Sequence, residues 1–442
     1  MNTPFIYFLK NFQLFYNVRD VDLGYGDEQG KAITVRKNCE DSFWLEKKDV
    51  SASHVVWKEW NGISIPFLFE KNNEHEIITF KGDKAVIHYD IIAAAVYFLS
   101  GWNEYVNPSR DEFGRVKYET SIIKYLGITT IPVVNYYYSI LEEAITKVYK
   151  RNIKKDVWDT KTFAVALTHD IDTCQSCWLE GSFSEIKKKR ILSVPGLIFN
   201  RIFKDDDWFN FRKIVQLEKK YNATSSFYFL PRKGKAGRWT NADYNIKGRK
   251  IQQTISFLQE QGADIGVHGS FGAHADKTML NDDILRIRSR PVTGNRFHYL
   301  LFDPEKTVSV LEDCHIKYDT TIGFAENMGF RRATCYPFYL YAFERNVTSP
   351  VLEIPLTVMD TSMANKRYMG LTKEEARTRV HQIINEVRKF NGVFTLLWHN
   401  TYFSDYKYTG WREVYSDILE YCSMHNGLLT NGKNVYNKIT GS

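Results

Sequence analysis

The chain has 442 residues, of which 43% are apolar, 15% aromatic and 25% charged, the composition of a soluble globular protein long enough for two or three domains. Its 59 bases exceed its 52 acids by seven, with no basic block longer than Lys187-Lys-Lys-Arg190. That balance argues against nucleic acid as a partner and leaves only a mild lean toward acidic partners or membrane surfaces.

The stretch Met1 to Lys10 has neither a basic start nor a small-residue cleavage site and does not read as a signal peptide. The longest apolar run, Ile91 to Leu99, is too short to span a bilayer, so no stable membrane insertion is expected and the location expected is cytoplasmic. Six cysteines are scattered without a framework, as in a reducing compartment, and Cys174-Gln-Ser-Cys177 is a lone pair that reads as unremarkable thiols.

Residues 1 to 152 read as a smaller α+β domain of unknown role. Strand-like runs fall at Ala32 to Val35, His54 to Trp57, Ile63 to Phe69, Glu76 to Phe80 and Ala85 to His88, followed by helices over Asp90 to Ser100 and Val133 to Tyr149. Lys154 to Asp156 reads as a linker. The histidines here, His54, His75 and His88, read as packed or solvated groups.

From 158 to 442 the pattern becomes strand, helix, strand, helix. Strands are expected at Phe163 to Leu167, Ser225 to Leu230, Ala263 to Val267, Glu353 to Val358 and Val393 to Trp398, with helices at Phe211 to Tyr221, Lys250 to Gln261, Pro304 to Asp313 and Lys373 to Phe390. Such alternation implies an α/β fold with a parallel sheet, of the size of a β/α barrel, whose reactive residues sit at the C-terminal strand ends. The basic and apolar segment Lys187 to Lys204 reads as a surface insertion, with a peripheral membrane patch or a lid as alternatives.

Polar clusters fall where that fold would put them. The run Thr162 to Asp172 ends in His169, Asp170 and Asp172; in extended backbone the two acids point one way and His169 the other. Two carboxylates on one side suit a metal ligand and a general base, although a polar turn capping a helix would use the same residues. Ala263 to His268 repeats the layout and ends in a histidine, and a carboxylate with an imidazole is a donor pair that hydrolytic zinc sites use. His399, closing Val393 to Trp398, is suited to donating a proton to a leaving group, and Arg331 or Arg332 could hold a carboxylate.

Thr168-His-Asp-Ile-Asp172, His268 with Ser270, Gly329-Phe-Arg331 with Pro337-Phe338, Asp360 and Leu396-Leu-Trp-His399 together resemble the ordered motifs of the polysaccharide deacetylases, the family four carbohydrate esterases. The closer likeness is to a bacterial subgroup with a His-Asp-x-Asp motif, and residues 1 to 150 resemble the uncharacterised domain that subgroup carries. The resemblance implies a distorted seven-stranded β/α barrel and metal-dependent removal of acetyl groups from sugars. It makes Asp170 the general base, Asp172 and His268 ligands of a divalent metal with zinc foremost, Arg331 the residue orienting Asp170, and His399 the acid. Asp360 would tune His399. The family's second histidine follows the first by four residues, whereas His274 follows His268 by six and would need a loop to turn it inward. His298, in Arg296-Phe-His-Tyr-Leu300, is the favoured third ligand and His274 its rival.

The expected activity is therefore hydrolysis of the linear amide of an N-acetylated saccharide, in surface polysaccharide metabolism. A hydrolase of a small cyclic amide or ureide on the same fold is the first alternative, and an inactive carbohydrate-binding protein the second. The sequence fixes neither the sugar nor the oligomeric state.

Overall fold

The protein is described by a computed structural model over residues 3–26, 30–71, 73, 75–187, 205–288 and 291–441. Most of the segment Lys187 to Lys204 lies outside the described residues, and with it the insertion expected there.

In the N-terminal region β1 (Leu23–Tyr25) and β2 (Ile33–Val35) are followed by an antiparallel pair, β3 (Val55–Trp60) with β4 (Ile63–Leu68). Next come β5 (Ile78–Lys81) and β6 (Lys84–Ile87), and a four-stranded sheet runs in the order β1, β2, β6, β5. The apolar run read as too short for a membrane is the helix Ile91–Ser100, buried at every residue. Asp90 caps it by accepting from the Ala93 amide at 2.9 Å. Gly101 ends it at φ +75°, and a Cβ there would stand 1.8 Å from Arg332 Nη1, so this glycine both stops the helix and admits a side chain from the other half.

The second half is organised on β7 (Phe163–Ile171), nine residues buried without exception, as a parallel strand covered on both faces should be. It is joined by β8 (Ser226–Phe229), the short hairpin strands β9 (Lys235–Ala236) and β10 (Trp239–Thr240), β11 (Asp264–Gly269), β12 (Gly294–Phe297), β13 (Tyr318–Asp319), β14 (Phe338–Ala342), β15 (Val347–Glu353), β16 (Val358–Met359), β17 (Val393–Leu397) and β18 (Gly427–Thr430). The hairpin pairs only with itself; the other ten strands form one mixed sheet, in the order β14, β15, β13, β12, β11, β8, β7, β17, β16, with β18 beside β7. The fold is thus a mixed α/β architecture, with an antiparallel edge strand, β14, and a ten-stranded sheet where a seven-stranded barrel was expected.

Two differences from the sequence reading have plain causes. The strand expected at Glu353 to Val358 is two strands, because the connecting Ile354-Pro355-Leu356-Thr357 contains a proline with no amide to give to a ladder. β12 was not read as a strand because Asn295 and Arg296 break the apolar signal. Both are wholly buried yet hydrogen bonded: Asn295 Nδ2 donates to Asp319 Oδ1 at 2.6 Å and Arg296 Nε to the Thr320 carbonyl at 2.9 Å.

One continuous apolar core joins both halves. The helix Thr3–Phe15 lies against β14, with the Tyr7 hydroxyl donating to the Tyr339 carbonyl at 2.9 Å and Phe15 stacked on Tyr336 at 3.7 Å. Among the described residues no helix is long and apolar enough to cross a membrane. The described cysteines are all free thiols.

Candidate metal centre and cleft

At the end of β7, alternation puts Asp170 and Asp172 on one side and His169 on the other. His169 is spent on structure, its Nδ1 on the Trp398 carbonyl at 2.6 Å and its Nε2 on Glu218 Oε1 at 2.8 Å. The side carrying the acids meets the ends of three further strands. His268 comes from β11, His298 directly follows β12, and His399 lies just past β17.

Asp172, His268 and His298 form a tight triangle. His268 Nε2 lies 3.0 Å from His298 Nδ1, and Asp172 Oδ1 lies 3.2 Å from the former and 3.4 Å from the latter. The outer ring nitrogens fix the tautomers, since a carbonyl can only accept. His268 Nδ1 donates to the Arg296 carbonyl at 2.8 Å and His298 Nε2 to the Thr240 carbonyl at 2.9 Å. In the neutral rings, two imidazole lone pairs and a carboxylate oxygen therefore converge on one point, and Asp172 Oδ1 receives no hydrogen bond. Only an added proton or a cation reconciles three facing acceptors. Ligands about 2.0–2.2 Å from a tetrahedral ion stand about 3.3–3.5 Å apart, close to the separations found, so the three residues fit a metal with a further position open.

The electrostatics agree. Burial raises the cost of charge on Asp172, but the facing imidazoles of His298 and His268 outweigh it and hold this carboxyl well below the usual range. Burial likewise opposes charge on His268, where Asp170 and Asp172 overcome it and lift the imidazole; at His298 burial wins and the ring is held low.

Asp170 and His399 flank the triangle. Asp170 Oδ2 stands 3.8 Å from His268 Nε2, and its Oδ1 accepts from Arg296 Nη1 at 3.0 Å. Arg296 Nη1 also donates to Thr168 Oγ1 at 2.8 Å, which pins the guanidinium beneath the acid. On the opposite flank His399 Nε2 is 3.8 Å from Asp172 Oδ2, while its Nδ1 meets the buried Asp360 at 2.8 Å. Burial disfavours an imidazolium there, yet Asp360 and the nearby Asp172 and Asp170 raise His399 to about 9.

Two expected roles need correction. Arg331 does not orient Asp170. Its Nε and Nη2 donate to Glu104 at 2.9 and 2.8 Å, and its Nη1 to the Gly323 carbonyl. The loop from Gly329 is docked on the N-terminal region: Phe330 donates its amide to the Thr129 carbonyl at 2.8 Å, and a Cβ at Gly329 would stand 2.1 Å from that oxygen. Arg332 joins the same carboxylate at 3.0 Å. Arg296 occupies the position expected of Arg331, and strand alternation from His298 was the signal that could have found it. His274 is the second correction. It sits on the turn Ala273–Ala275, with its ring 6.3 Å from that of Phe297, and is not part of the donor cluster.

A cleft of about 220 Å³ opens over these groups. Leu300, Ala325, Met359 and Leu397 line it beside His399, and Phe113 and Arg115 enter it from the N-terminal region.

Residues 4–150 match the model of a family described as a family of unknown function (DUF7033). No curated protein matches the chain. Among solved structures, a protein described as a polysaccharide deacetylase from Mycobacterium smegmatis is similar over 64% of this chain and 92% of its own, at 17% identity and a TM-score of 0.43. A probable polysaccharide deacetylase from Pseudomonas aeruginosa PAO1 covers 66% of this chain and 95% of its own at 11% identity and a TM-score of 0.42. Puue allantoinase covers 64% and 92% at 10% identity and a TM-score of 0.41. At these identities and scores the likeness assigns neither activity nor substrate.

Proposed function

We propose that the chain is a metal-dependent hydrolase that removes acetyl groups from an N-acetylated saccharide. The observation that carries the reading is the convergence of Asp172, His268 and His298 on one point, with Asp170 on one flank and the His399–Asp360 pair on the other. One carboxylate and two imidazoles with an open side make zinc the first candidate. The division into residues 1–152 and 158–442 belongs to the same proposal; each sheet draws its strands from one side of it.

A divalent cation held by that triangle supplies Lewis acidity to an amide carbonyl and makes a nearby water more acidic. Asp170 takes the proton of the attacking water as the carbon–oxygen bond forms, and Arg296 holds the carboxylate in place for it. His399 gives its Nε2 proton to the departing nitrogen as the carbon–nitrogen bond breaks, so that acetate and a free amine leave. Asp360 fixes the ring that donates, its carboxylate 2.8 Å from Nδ1 favouring the imidazolium. The apolar patch of Ala325, Met359 and Leu397 offers a methyl group a dry wall.

The test is acetate release from N-acetylglucosaminyl substrates with zinc or cobalt restored, run beside Asp170→Asn and His399→Ala. Loss of turnover by about 10²–10⁴ in each variant is expected of a general base and acid. Equal turnover in all three would discard the assignment. A cyclic ureide assayed in parallel separates the amidohydrolase alternative, which would use the same side chains.

A further inference from the structure

The cleft is not made by the second half of the chain alone. The loop from Asn107 to Lys117 reaches from the N-terminal region over its mouth, and it is built to hold its shape. Asp111 Oδ1 accepts from the amides of Phe113 and Arg115, each at 2.9 Å, and its Oδ2 from Arg115 Nε at 2.7 Å. Arg110 ties the base of the loop by donating to the carbonyls of Asn107 at 2.6 Å and Glu104 at 3.0 Å. Glu104 in turn is the residue clasped by Arg331 and Arg332. The loop is thus tied to the segment between β13 and β14, in the same half of the chain as the donor cluster.

What this loop presents is an aromatic ring. Phe113 lies 4.6 Å from Trp239 and is stacked 5.0 Å from Tyr299, ring centre to ring centre. Arg238 covers Trp239 at 4.3 Å and donates to the Glu112 carbonyl at 3.1 Å, closing the contact between the loop and the hairpin. Phe113, Trp239 and Tyr299 all remain half-buried rather than sinking into the core. Tyr299 immediately follows the donor His298, and its backbone and that of Leu300 both take positive φ, +60° and +57°. Two successive non-glycine residues in the left-handed region are costly, and such strain is kept where a side chain must be held in one place.

We propose that this loop is a wall of the substrate cleft, and that Phe113 and Tyr299, backed by Trp239, form a platform for a pyranose ring next to the one that loses its acetyl group. The inference rests on the saccharide reading above and deepens it: the preferred substrate is an oligosaccharide, and the N-terminal region is a specificity element. The apolar C–H face of a sugar ring matches half-exposed aromatic rings, and Phe113 and Tyr299 line the same cleft as the donor His298.

The experiment measures binding by calorimetry in an Asp170→Asn background, so that the probe is not consumed, using N-acetylglucosamine and its β-1,4-linked trimer. Adding Phe113→Ala or Trp239→Leu should weaken the trimer about tenfold and the monosaccharide less than about twofold. Trp239→Phe, which keeps a ring, should restore most of the loss. If both aliphatic variants bind the trimer as the background does, with unaltered thermal midpoints, the platform is wrong and the aromatic rings merely pack. Acetate release by the parent judges the hydrolase reading separately: a parent that binds the trimer through Phe113 yet releases no acetate overturns that reading and leaves the platform standing.

Discussion

Among the described residues, the charge clusters around Glu104 and around Asp172 are built on opposite terms. Around Glu104 the signs are complementary. One carboxylate accepts from Arg331 and lies 3.0 Å from Arg332, and although burial alone would raise its pKa, Arg331 and Arg332 hold it at about 2. Around Asp172 the acceptors face one another, and one carboxylate oxygen is left without a donor. The first cluster pairs its carboxylate within the chain and ties the two halves together. The second lacks a positive partner and opens into a cleft, with the Asp172 side chain 29% exposed against 5% for Glu104, the contrast that distinguishes a candidate binding centre from a structural ion pair.

Breaking the complete cluster should have the largest effect on the fold. Glu104→Gln leaves two buried guanidiniums facing a neutral amide, and unpairing a buried charge of this kind costs about 3–5 kcal/mol. Denaturant unfolding should read that loss at neutral pH, with the loop that follows Glu104 loosened at the same time. The acid limb supplies a second reading. A carboxyl held at about 2 in the fold, against an ordinary 4.5, contributes stability that is present above 4.5 and is lost as the pH falls toward 2. The parent should therefore lose on the order of 3 kcal/mol more than Glu104→Gln across that window. Parallel limbs in the two proteins would mean that the Glu104 pairing contributes little.

Breaking the incomplete cluster should leave the fold and remove the ion. Elemental analysis of purified protein is expected to find one divalent ion per chain, with affinity reduced by at least about 100-fold in Asp172→Asn and His298→Ala and unchanged in His274→Ala. Metal retained in His298→Ala but lost in His274→Ala would reinstate the rival ligand and refute the triangle.

How much of this could be read from the sequence follows from the same contrast. Asp170, Asp172, His268 and His399 end apolar runs of strand length, so their shared rim was legible once a parallel sheet was inferred. His298 and Arg296 were harder, because β12, which carries Arg296 and is directly followed by His298, has no apolar run to announce it. The role expected of Arg331 was mistaken for a physical reason: its partner, Glu104, stands 227 residues away on a short helix of the other half, and no local pattern ties the two. The contribution of Phe113 to the cleft was illegible for the same cause, since a loop's reach is set by what anchors it.

The smallest expected effect is the sharpest test of the exchange between the two arginines. Arg296 Nη1 serves Asp170 and Thr168 while its Nε serves the Thr320 carbonyl. A lysine has one compact ammonium in place of that fork and cannot keep all three contacts, so the carboxylate loses its fixed orientation while the donor triangle remains. Arg296→Lys should therefore lower kcat about tenfold with bound metal unchanged, the size expected for loss of a supporting contact rather than of the base itself. Arg331→Lys breaks the two-pronged pairing with Glu104 instead and should lower the thermal midpoint by about 1 °C per kcal/mol lost, leaving kcat of the folded protein intact. If Arg331→Lys depressed kcat while Arg296→Lys did not, the guanidinium that matters to Asp170 would be the one first read from the sequence, and the contacts around Glu104 would have to rearrange when substrate binds.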